Sequence, residues 1–218
     1  MLGCGSDAFN VPTKQASIIK NEGGQVFVNK IDTTQKKDNF ELVELTLKKF
    51  GKIDIFLPIA GVNSTVPIKE MTEKEWDRVM NINLKGVFWG CQAVFEIMCN
   101  QRFGKIVTIS SIAGKIGGIK SSIPYSASKA GVIVLTISFA KAMAPYNCNV
   151  NCICPGPIET PFHSILTNEE KIMLRNNIPL GKWGKPEDIV DGILFLCSAS
   201  SDYITGEILD INGGMLMD

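Results

Sequence analysis

The segment SIPYSASKAGVIVLTISFA, Ser122 to Ala140, decides how the rest of the sequence is interpreted. It places Tyr125 and Lys129 four residues apart at the head of a long apolar run. On a helix, residues at i and i+4 lie on one face about 5 to 6 Å apart, so the phenol and the ammonium can share one site. The same spacing also arises by chance where a buried helix begins. The spacing alone therefore does not show whether the two residues form a proton-transfer pair, and the neighbouring segments have to be considered.

Proton transfer by Tyr125 near neutral pH sets an energetic condition. Lowering a tyrosine pKa from about 10 by roughly 3 units requires about 4 kcal/mol. One positive charge about 5 Å away, at an effective dielectric constant of about 20, supplies roughly 3 kcal/mol. Burial of the phenol acts in the opposite direction. We therefore expect Tyr125 to need a second cation besides Lys129.

Short β-branched or apolar segments alternate with helical patterns along the chain. The strand candidates are QVFVNKI, IDIFLPIA, KIVTIS, NVNCIC and EILDI. The helical candidates are residues 13–21, 39–50, 73–98, 125–144, 168–176 and 186–198. This alternation predicts an α/β fold, a parallel sheet with helices on both faces. The length of 218 residues predicts one domain, residues 1–218, in which residues 1–22 are a poorly defined remnant.

Composition argues against several classes of partner. The 22 basic and 22 acidic residues give a formal net charge of zero, so neither nucleic acid nor an anionic membrane surface is expected to bind. The apolar stretch from Ala130 to Ala140 is shorter than the roughly 20 residues that cross a bilayer. The seven cysteines form an odd set within apolar segments, which favours a reducing, cytoplasmic setting.

A zinc site could be drawn from four residues, but no metal is expected. The set is Cys148, Cys152, Cys154 and His163. Two of these cysteines fall inside the NVNCIC strand, and no second cysteine pair completes a zinc motif. The single histidine is expected in a loop on the substrate side.

Polar groups follow two of the predicted strands. Ser110 and Ser111 end the strand KIVTIS, and the turn from Pro155 to Pro157 ends the strand NVNCIC, followed by Ile158 and Thr160. Open α/β sheets bind ligands at the carboxyl ends of their strands. A Pro-Gly turn at this edge can present backbone groups and a threonine hydroxyl to a flat polar ligand.

From about Gly23 to the C-terminus the sequence resembles the short-chain dehydrogenase/reductase family, nearest its 3-oxoacyl-carrier-protein reductase-like branch. The matching pieces occur in the family's order: GKIDIFLPIAGV, NINLKGVF, IVTISSIAG, YSASK, NVNCICPGPIET, GKPEDI and YITGEILDINGG. The resemblance implies a Rossmann-like sheet, and NAD or NADP as the cofactor. It also implies a small carbonyl or secondary-alcohol substrate and a homo-oligomer, either a dimer or a tetramer.

The resemblance also implies a catalytic tetrad of Asn83, Ser111, Tyr125 and Lys129. Tyr125 would exchange a proton with the substrate oxygen, which Ser111 would hold and polarise. Lys129 would bind the nicotinamide ribose and lower the pKa of Tyr125. Asn83 would interrupt its helix and hold a water that links Lys129 to solvent. Ser110 remains an alternative to Ser111, because both stand at the same strand end.

The residues assigned to the cofactor by the resemblance are Asp32, Ala60, Gly61, Tyr125, Lys129, Pro155, Gly156, Ile158 and Thr160. Asp32 would contact the adenine, or it could simply start a turn. Pro58 and Ile59 stand where the family has asparagines that brace the central sheet and border the adenosine site.

The family's phosphate-binding fingerprint, a strand followed by a Gly-rich turn that opens a helix, should precede all of these pieces. The sequence offers only GCGSD, Gly3 to Asp7, which is interpreted as the tail of the second strand. The fold is therefore expected to be N-terminally truncated, with the first βαβ segment largely missing. IDIFLPIA would then be an unpaired edge, or QVFVNKI would close the gap. The functional alternative is a catalytically silent or regulatory subunit that keeps the family's interfaces and binds little or no dinucleotide.

Overall fold

The computed structural model describes residues 10–118, 122–161 and 166–217. The α-helices are α1 (Asn10–Asn21), α2 (Lys36–Phe50), α3 (Glu73–Met80), α4 (Gly86–Gln101), α5 (Ala113–Ile116), α6 (Ile123–Met143), α7 (Asn168–Asn176) and α8 (Pro186–Cys197). The strands are β1 (Ile55–Phe56), β2 (Gly104–Ile109), β3 (Cys148–Pro155) and β4 (Ile208–Ile211). A π-helical segment, Asn81–Lys85, joins α3 to α4.

The strands form one parallel sheet in the order β1-β2-β3-β4. Because parallel neighbours need crossover connections, helices lie between consecutive strands. The ladder of β2 on β3 runs from Gly104 opposite Cys148 to Ile109 opposite Ile153. The predicted parallel sheet is confirmed.

Both faces of the sheet are covered. On one face, Ile106 and Val150 pack with side chains of α4 and α6. On the other, Val107 and Ile153 pack against Leu196 of α8. The pleat explains this, because successive residues of a strand point to opposite faces. Helices on both faces were predicted, and the structure has them.

The predicted strand QVFVNKI is wrong, because residues 25–31 form no strand. No backbone hydrogen bond of the described residues joins this segment to β1. Its Asn29 and Ile31 instead line, with Phe56 of β1, a cavity of about 30 Å³. β-branched residues favour a strand only where a neighbouring strand can pair with them, and β1 has just two residues. β1 is therefore the edge, the first of the two outcomes left open.

The predicted helix 73–98 is interrupted at the position that the resemblance implied. The π-helical turn contains Asn83 and separates α3 from α4. Helix α3, N-terminal to it, begins at the N-cap Thr72, whose hydroxyl accepts a hydrogen bond from the Glu75 amide at 3.2 Å.

Helix α6 is longer than the apolar stretch suggested. With the 3₁₀ turn that follows, it spans Ile123–Tyr146, 24 residues whose most apolar window has a mean hydropathy of 1.4. By length and composition alone it could cross a membrane. In the fold it packs on α5 and β3, and it buries Lys129 and Thr136 along with its apolar residues. These contacts support its interpretation as a core helix.

Candidate active site

The carboxyl ends of β2 and β3 and the first turns of α6 enclose a cavity of about 370 Å³. The sequence-predicted residues that line it are Gly61, Ser111, Tyr125, Lys129, Pro155, Gly156, Ile158 and Thr160. Positions far apart in the sequence therefore meet at the sheet edge where open α/β folds bind ligands.

Tyr125 lies in the first turn of α6, where the Ser122 hydroxyl accepts its amide hydrogen bond at 3.4 Å. The side chain is only 8% exposed and packs against Val79 and Ala113. Burial raises the pKa of Tyr125 above its ordinary value of 10.0, and the hydrogen bond with Ser111 offsets only part of that effect. The resting phenol therefore keeps its proton at neutral pH.

Lys129 lies one helical turn further along and is also buried, with 6% of its surface exposed. Its Nζ donates to the Ile109 carbonyl at 2.8 Å and lies 5.8 Å from the centroid of the Tyr125 ring. Burial lowers the pKa of Lys129 from 10.5 to about 8. Lys129 is thus mostly protonated at neutral pH, but it loses its proton at a lower pH than an exposed lysine does.

Asn83 is completely buried in the π-helical turn. Its Oδ1 accepts from the Val62 amide at 2.8 Å, and its Nδ2 donates to the Val62 carbonyl at 2.8 Å and to the Ser128 hydroxyl at 3.1 Å. A Cβ built on Gly61 would lie 3.5 Å from Asn83 Oδ1 and 3.6 Å from Lys129 Nζ. Asn83 therefore joins the loop after β1 to α6 directly beside Lys129.

The two serines at the end of β2 have different partners. The Ser110 hydroxyl is 2% exposed and donates to the Lys129 carbonyl at 2.7 Å. The Ser111 hydroxyl is hydrogen-bonded to Tyr125 and accepts from the Ala113 amide at 3.2 Å. Because Ser110 is committed to the backbone of α6, the geometry favours Ser111 as the serine that meets a ligand.

The turn after β3 is fixed by backbone contacts on both sides. The Gly156 amide donates to the Ile211 carbonyl at 2.9 Å, and a Cβ at Gly156 would lie 2.8 Å from Asn212 Cα. Only glycine permits this approach of the turn to the end of β4. Further along, the Glu159 amide donates to the Gly184 carbonyl at 2.9 Å. The turn is a rigid wall of the cavity.

Asp32 and Ala60 lie away from the cavity. Asp32 is exposed, and its Oδ1 accepts from the Thr34 amide at 2.9 Å and from the Thr34 hydroxyl at 2.7 Å. These hydrogen bonds correspond to the second possibility left open for Asp32, that it starts a turn. Ala60 and Pro58 line the small cavity beside β1, and Ile59 borders both cavities.

The residues considered for zinc do not converge where they are described. Over residues 10–118, 122–161 and 166–217, no group of His, Cys, Asp and Glu side chains could hold a metal ion. The Cys148 thiol contacts the Met98 carbonyl at 3.4 Å, and Cys152 and Cys154 are fully buried in β3. His163 lies outside the described residues.

The sequence did not predict the apolar wall of the cavity. It consists of Ile59, Ile109, Ile112, Ile116, Leu166, Leu174 and Met215. Part of it had a signal, because Ile112 and Ile116 follow the Ser110-Ser111 pair directly. Leu174 on α7 and Met215 near the C-terminus join the wall through tertiary folding alone.

Comparison with known proteins identifies the family. The family model described as enoyl-(acyl carrier protein) reductase matches residues 7–216. The 3-oxoacyl-[acyl-carrier-protein] reductase FabG of Thermotoga maritima is 41% identical over 194 residues, which cover 89% of this chain and 78% of the relative. The reductase of the same name from Aquifex aeolicus is 42% identical over 163 residues, 75% of this chain and 65% of the relative.

A solved structure shows the same fold. The crystal structure of gox2181 superimposes with a TM-score of 0.89 at 30% sequence identity, over 93% of this chain and 80% of that chain. The chain therefore belongs to the short-chain dehydrogenase/reductase family of NAD(P)-dependent oxidoreductases, and within it is similar to the 3-oxoacyl-[acyl-carrier-protein] reductases.

Proposed function

We propose that the protein interconverts a carbonyl and a secondary alcohol with NAD(H) or NADP(H), through Ser111, Tyr125, Lys129 and Asn83. One observation carries the proposal. The hydrogen-bonded hydroxyls of Ser111 and Tyr125 lie at the wall of the cavity of about 370 Å³, with the buried Lys129 ammonium 5.8 Å from the phenol ring.

Ser111 and Tyr125 act on the substrate oxygen. Because the Ser111 oxygen accepts from the Ala113 amide, its own hydrogen is free to point at a substrate carbonyl that replaces the phenol as its acceptor. Tyr125 is protonated at neutral pH and donates the second hydrogen bond. As the carbonyl oxygen gains charge, the phenolic proton moves to it, so Tyr125 is the general acid of reduction.

Lys129 supports the tyrosine after the proton has moved. Its positive charge stabilises the phenolate that remains, and the hydrogen bond to the Ile109 carbonyl keeps the ammonium at the end of β2. Asn83 acts by position, since its side-chain hydrogen bonds hold the loop beside Lys129. We also propose that Asn83 holds a water molecule that links Lys129 to solvent.

The residues around the cavity fit the nicotinamide end of a dinucleotide. Gly61 carries no side chain beside Lys129, and the turn of Pro155 and Gly156 lines the cavity at the same edge of the sheet. We propose that these residues, with Ile158 and Thr160, hold that end. The cofactor supplies the hydride when bound. Asp32 and Ala60 are proposed for the adenosine end, where Asp32 would have to act from its turn.

The substrate is proposed to carry an apolar substituent. The wall opposite the polar groups is built from isoleucine, leucine and methionine side chains, which favour an alkyl or acyl chain over a sugar. The names of the relatives support a 3-oxoacyl group linked to a carrier as the first substrate to test.

Assembly and location are part of the proposal. We propose that residues 1–218 act as one domain and assemble as a homo-oligomer, with a second copy on the face of α4 and α6. The apolar side chain of Val134 on α6 is 63% exposed, and covering it with a second copy would remove apolar surface from water. The cysteines among the described residues are all free thiols, which suits the cytoplasm.

The test is a titration of the purified chain with NADH and NADPH, followed by turnover of a 3-oxoacyl thioester. We expect micromolar affinity for one of the two nucleotides and its consumption only when the thioester is present. A chain that binds neither nucleotide at millimolar concentration would refute the enzyme and favour the catalytically silent subunit.

A further inference from the structure

We propose that the largely buried ion pair of Lys115 and Asp210 positions Ser111 for the reaction, an inference that rests on the proposed function. Lys115 Nζ lies 2.5 Å from Asp210 Oδ2, and the two side chains are 17% and 14% exposed. Lys115 belongs to α5, the single helical turn that follows Ser111, and Asp210 belongs to β4. The pair therefore connects the loop after β2 to a strand two positions away in the sheet.

The first step of the argument is the dependence of Ser111 on α5. Ala113, whose amide donates to the Ser111 hydroxyl, is the first residue of α5. The Gly114 amide donates to the Ser111 carbonyl at 2.9 Å. A movement of α5 would thus change both the orientation and the hydrogen bonding of the Ser111 side chain.

The second step is the contact between α5 and the catalytic helix. A Cβ at Gly114 would lie 2.7 Å from the Lys129 backbone carbon, so α5 is seated directly on α6 at Lys129. The ion pair holds α5 from the opposite side, through β4. Helix α5 therefore contacts both Ser111 and Lys129 and fixes the distance between these two residues.

The third step is that α5 is a single helical turn, which packs on α6 through Ala113 on one side and is tied to β4 by Lys115 on the other. Ladder-like backbone bonds extend past β2 only as far as Ile112, whose amide donates to the Pro155 carbonyl at 3.0 Å. The Ser111 hydroxyl accepts from the first amide of α5, and the helix ends at Gly117 with a φ of 75°. A single helical turn is unstable by itself, so its place depends on tertiary anchors such as Lys115.

The fourth step concerns the carboxylate. Asp210 Oδ1 is buried and has no hydrogen-bond partner among the described residues. A buried ion pair that is incompletely hydrogen-bonded is a poor source of stability compared with apolar packing. We therefore infer that the ion pair of Lys115 and Asp210 serves to hold α5 in a fixed position beside the cavity.

The test compares two neutral double variants. Lys115→Met/Asp210→Asn removes both charges at the site, and Lys105→Met/Asp202→Asn does the same for the ion pair at the amino end of β2, where the N–O distance is 2.7 Å. We expect the first variant to lose about fivefold or more in kcat, the effect of one weakened hydrogen bond in the transition state. Its KM for the nucleotide should stay within about twofold. The reversed pair, Lys115→Asp/Asp210→Lys, should recover part of kcat.

The outcomes separate this inference from the proposed function. An unchanged kcat in the first variant, or an equal loss in the second, would overturn the positioning role. Amide hydrogen exchange gives a readout that needs no turnover: residues 113–116 should exchange about tenfold faster in the first variant and at the native rate in the second. Unchanged exchange would also overturn the inference. An inactive wild-type chain with faster exchange in the first variant would refute the proposed function while supporting the tether.

Discussion

Replacing Lys129 with methionine is expected to stabilise the folded chain at neutral pH while removing its activity. Burial lowers the pKa of Lys129 from 10.5 to about 8, so the unfolded chain holds this proton more tightly than the folded one. By proton linkage the buried charge then costs about 3 kcal/mol at pH 7 and about 1 kcal/mol at pH 9.5. The hydrogen bond to the Ile109 carbonyl returns about 1 kcal/mol. The net gain for Lys129→Met at pH 7 is therefore about 2 kcal/mol.

The assay is urea unfolding of both proteins at pH 7 and at pH 9.5. Because the folded-state pKa is lowered, the unfolded state binds more protons, and wild-type stability rises with pH between about 8 and 10.5. The stability of the wild type relative to Lys129→Met should thus rise by about 2 kcal/mol between pH 7 and pH 9.5. The control is Lys141→Met on the same helix, whose side chain is exposed. A wild-type minus Lys129→Met difference that is flat with pH would show that Lys129 is not a strained buried cation.

The remaining predictions concern the other site residues. Tyr125→Phe should abolish turnover and change the free energy of unfolding by no more than about 1 kcal/mol, measured by steady-state kinetics and urea unfolding. Ser111→Ala should lower kcat about 100-fold, whereas Ser110→Ala should cost about 1 to 3 kcal/mol of stability with a smaller loss of kcat, because the Ser110 hydroxyl is bonded to the buried Lys129 carbonyl. Asn83→Leu should destabilise the chain by about 3 kcal/mol or more, since it leaves buried backbone groups of the loop after β1 without partners. The rate of carbonyl reduction should fall as the pH rises through about 8, where Lys129 loses its charge, and a rate that keeps rising above pH 9 would contradict this.

The parallel sheet and the shared face of Tyr125 and Lys129 followed from local sequence. Apolar segments of strand length alternate with helical patterns, and a spacing of four residues fixes a common helix face wherever the helix forms. Both properties depend on neighbours within a few residues. The prediction of a strand at QVFVNKI was wrong because a strand also requires a neighbouring strand to pair with, and the residues of the segment itself do not specify that neighbour.

The choice between Ser110 and Ser111 required the structure. The two hydroxyls stand at the same strand end, and their roles diverge because Ser110 faces the Lys129 carbonyl while Ser111 faces the phenol. The ion pair of Lys115 and Asp210 shows the same limit more strongly, since its members are 95 positions apart in the chain. Such pairs arise from the register of β3 with β4, which no local pattern encodes.

The protonation states of Tyr125 and Lys129 set what the proposed reaction requires of the site. A single positive charge was expected to fall short of the roughly 4 kcal/mol that a neutral-pH phenolate requires, and burial indeed keeps the pKa of Tyr125 above its ordinary value. Reduction begins with Tyr125 protonated, and a protonated phenol beside a charged lysine is the acid that a developing alkoxide needs. Oxidation begins with Tyr125 deprotonated, and the single ammonium of Lys129 does not stabilise that state sufficiently. By microscopic reversibility the phenolate that ends reduction is the one that begins oxidation. A second positive charge, which an oxidised nicotinamide would supply when bound, is therefore needed in both directions of the proposed reaction.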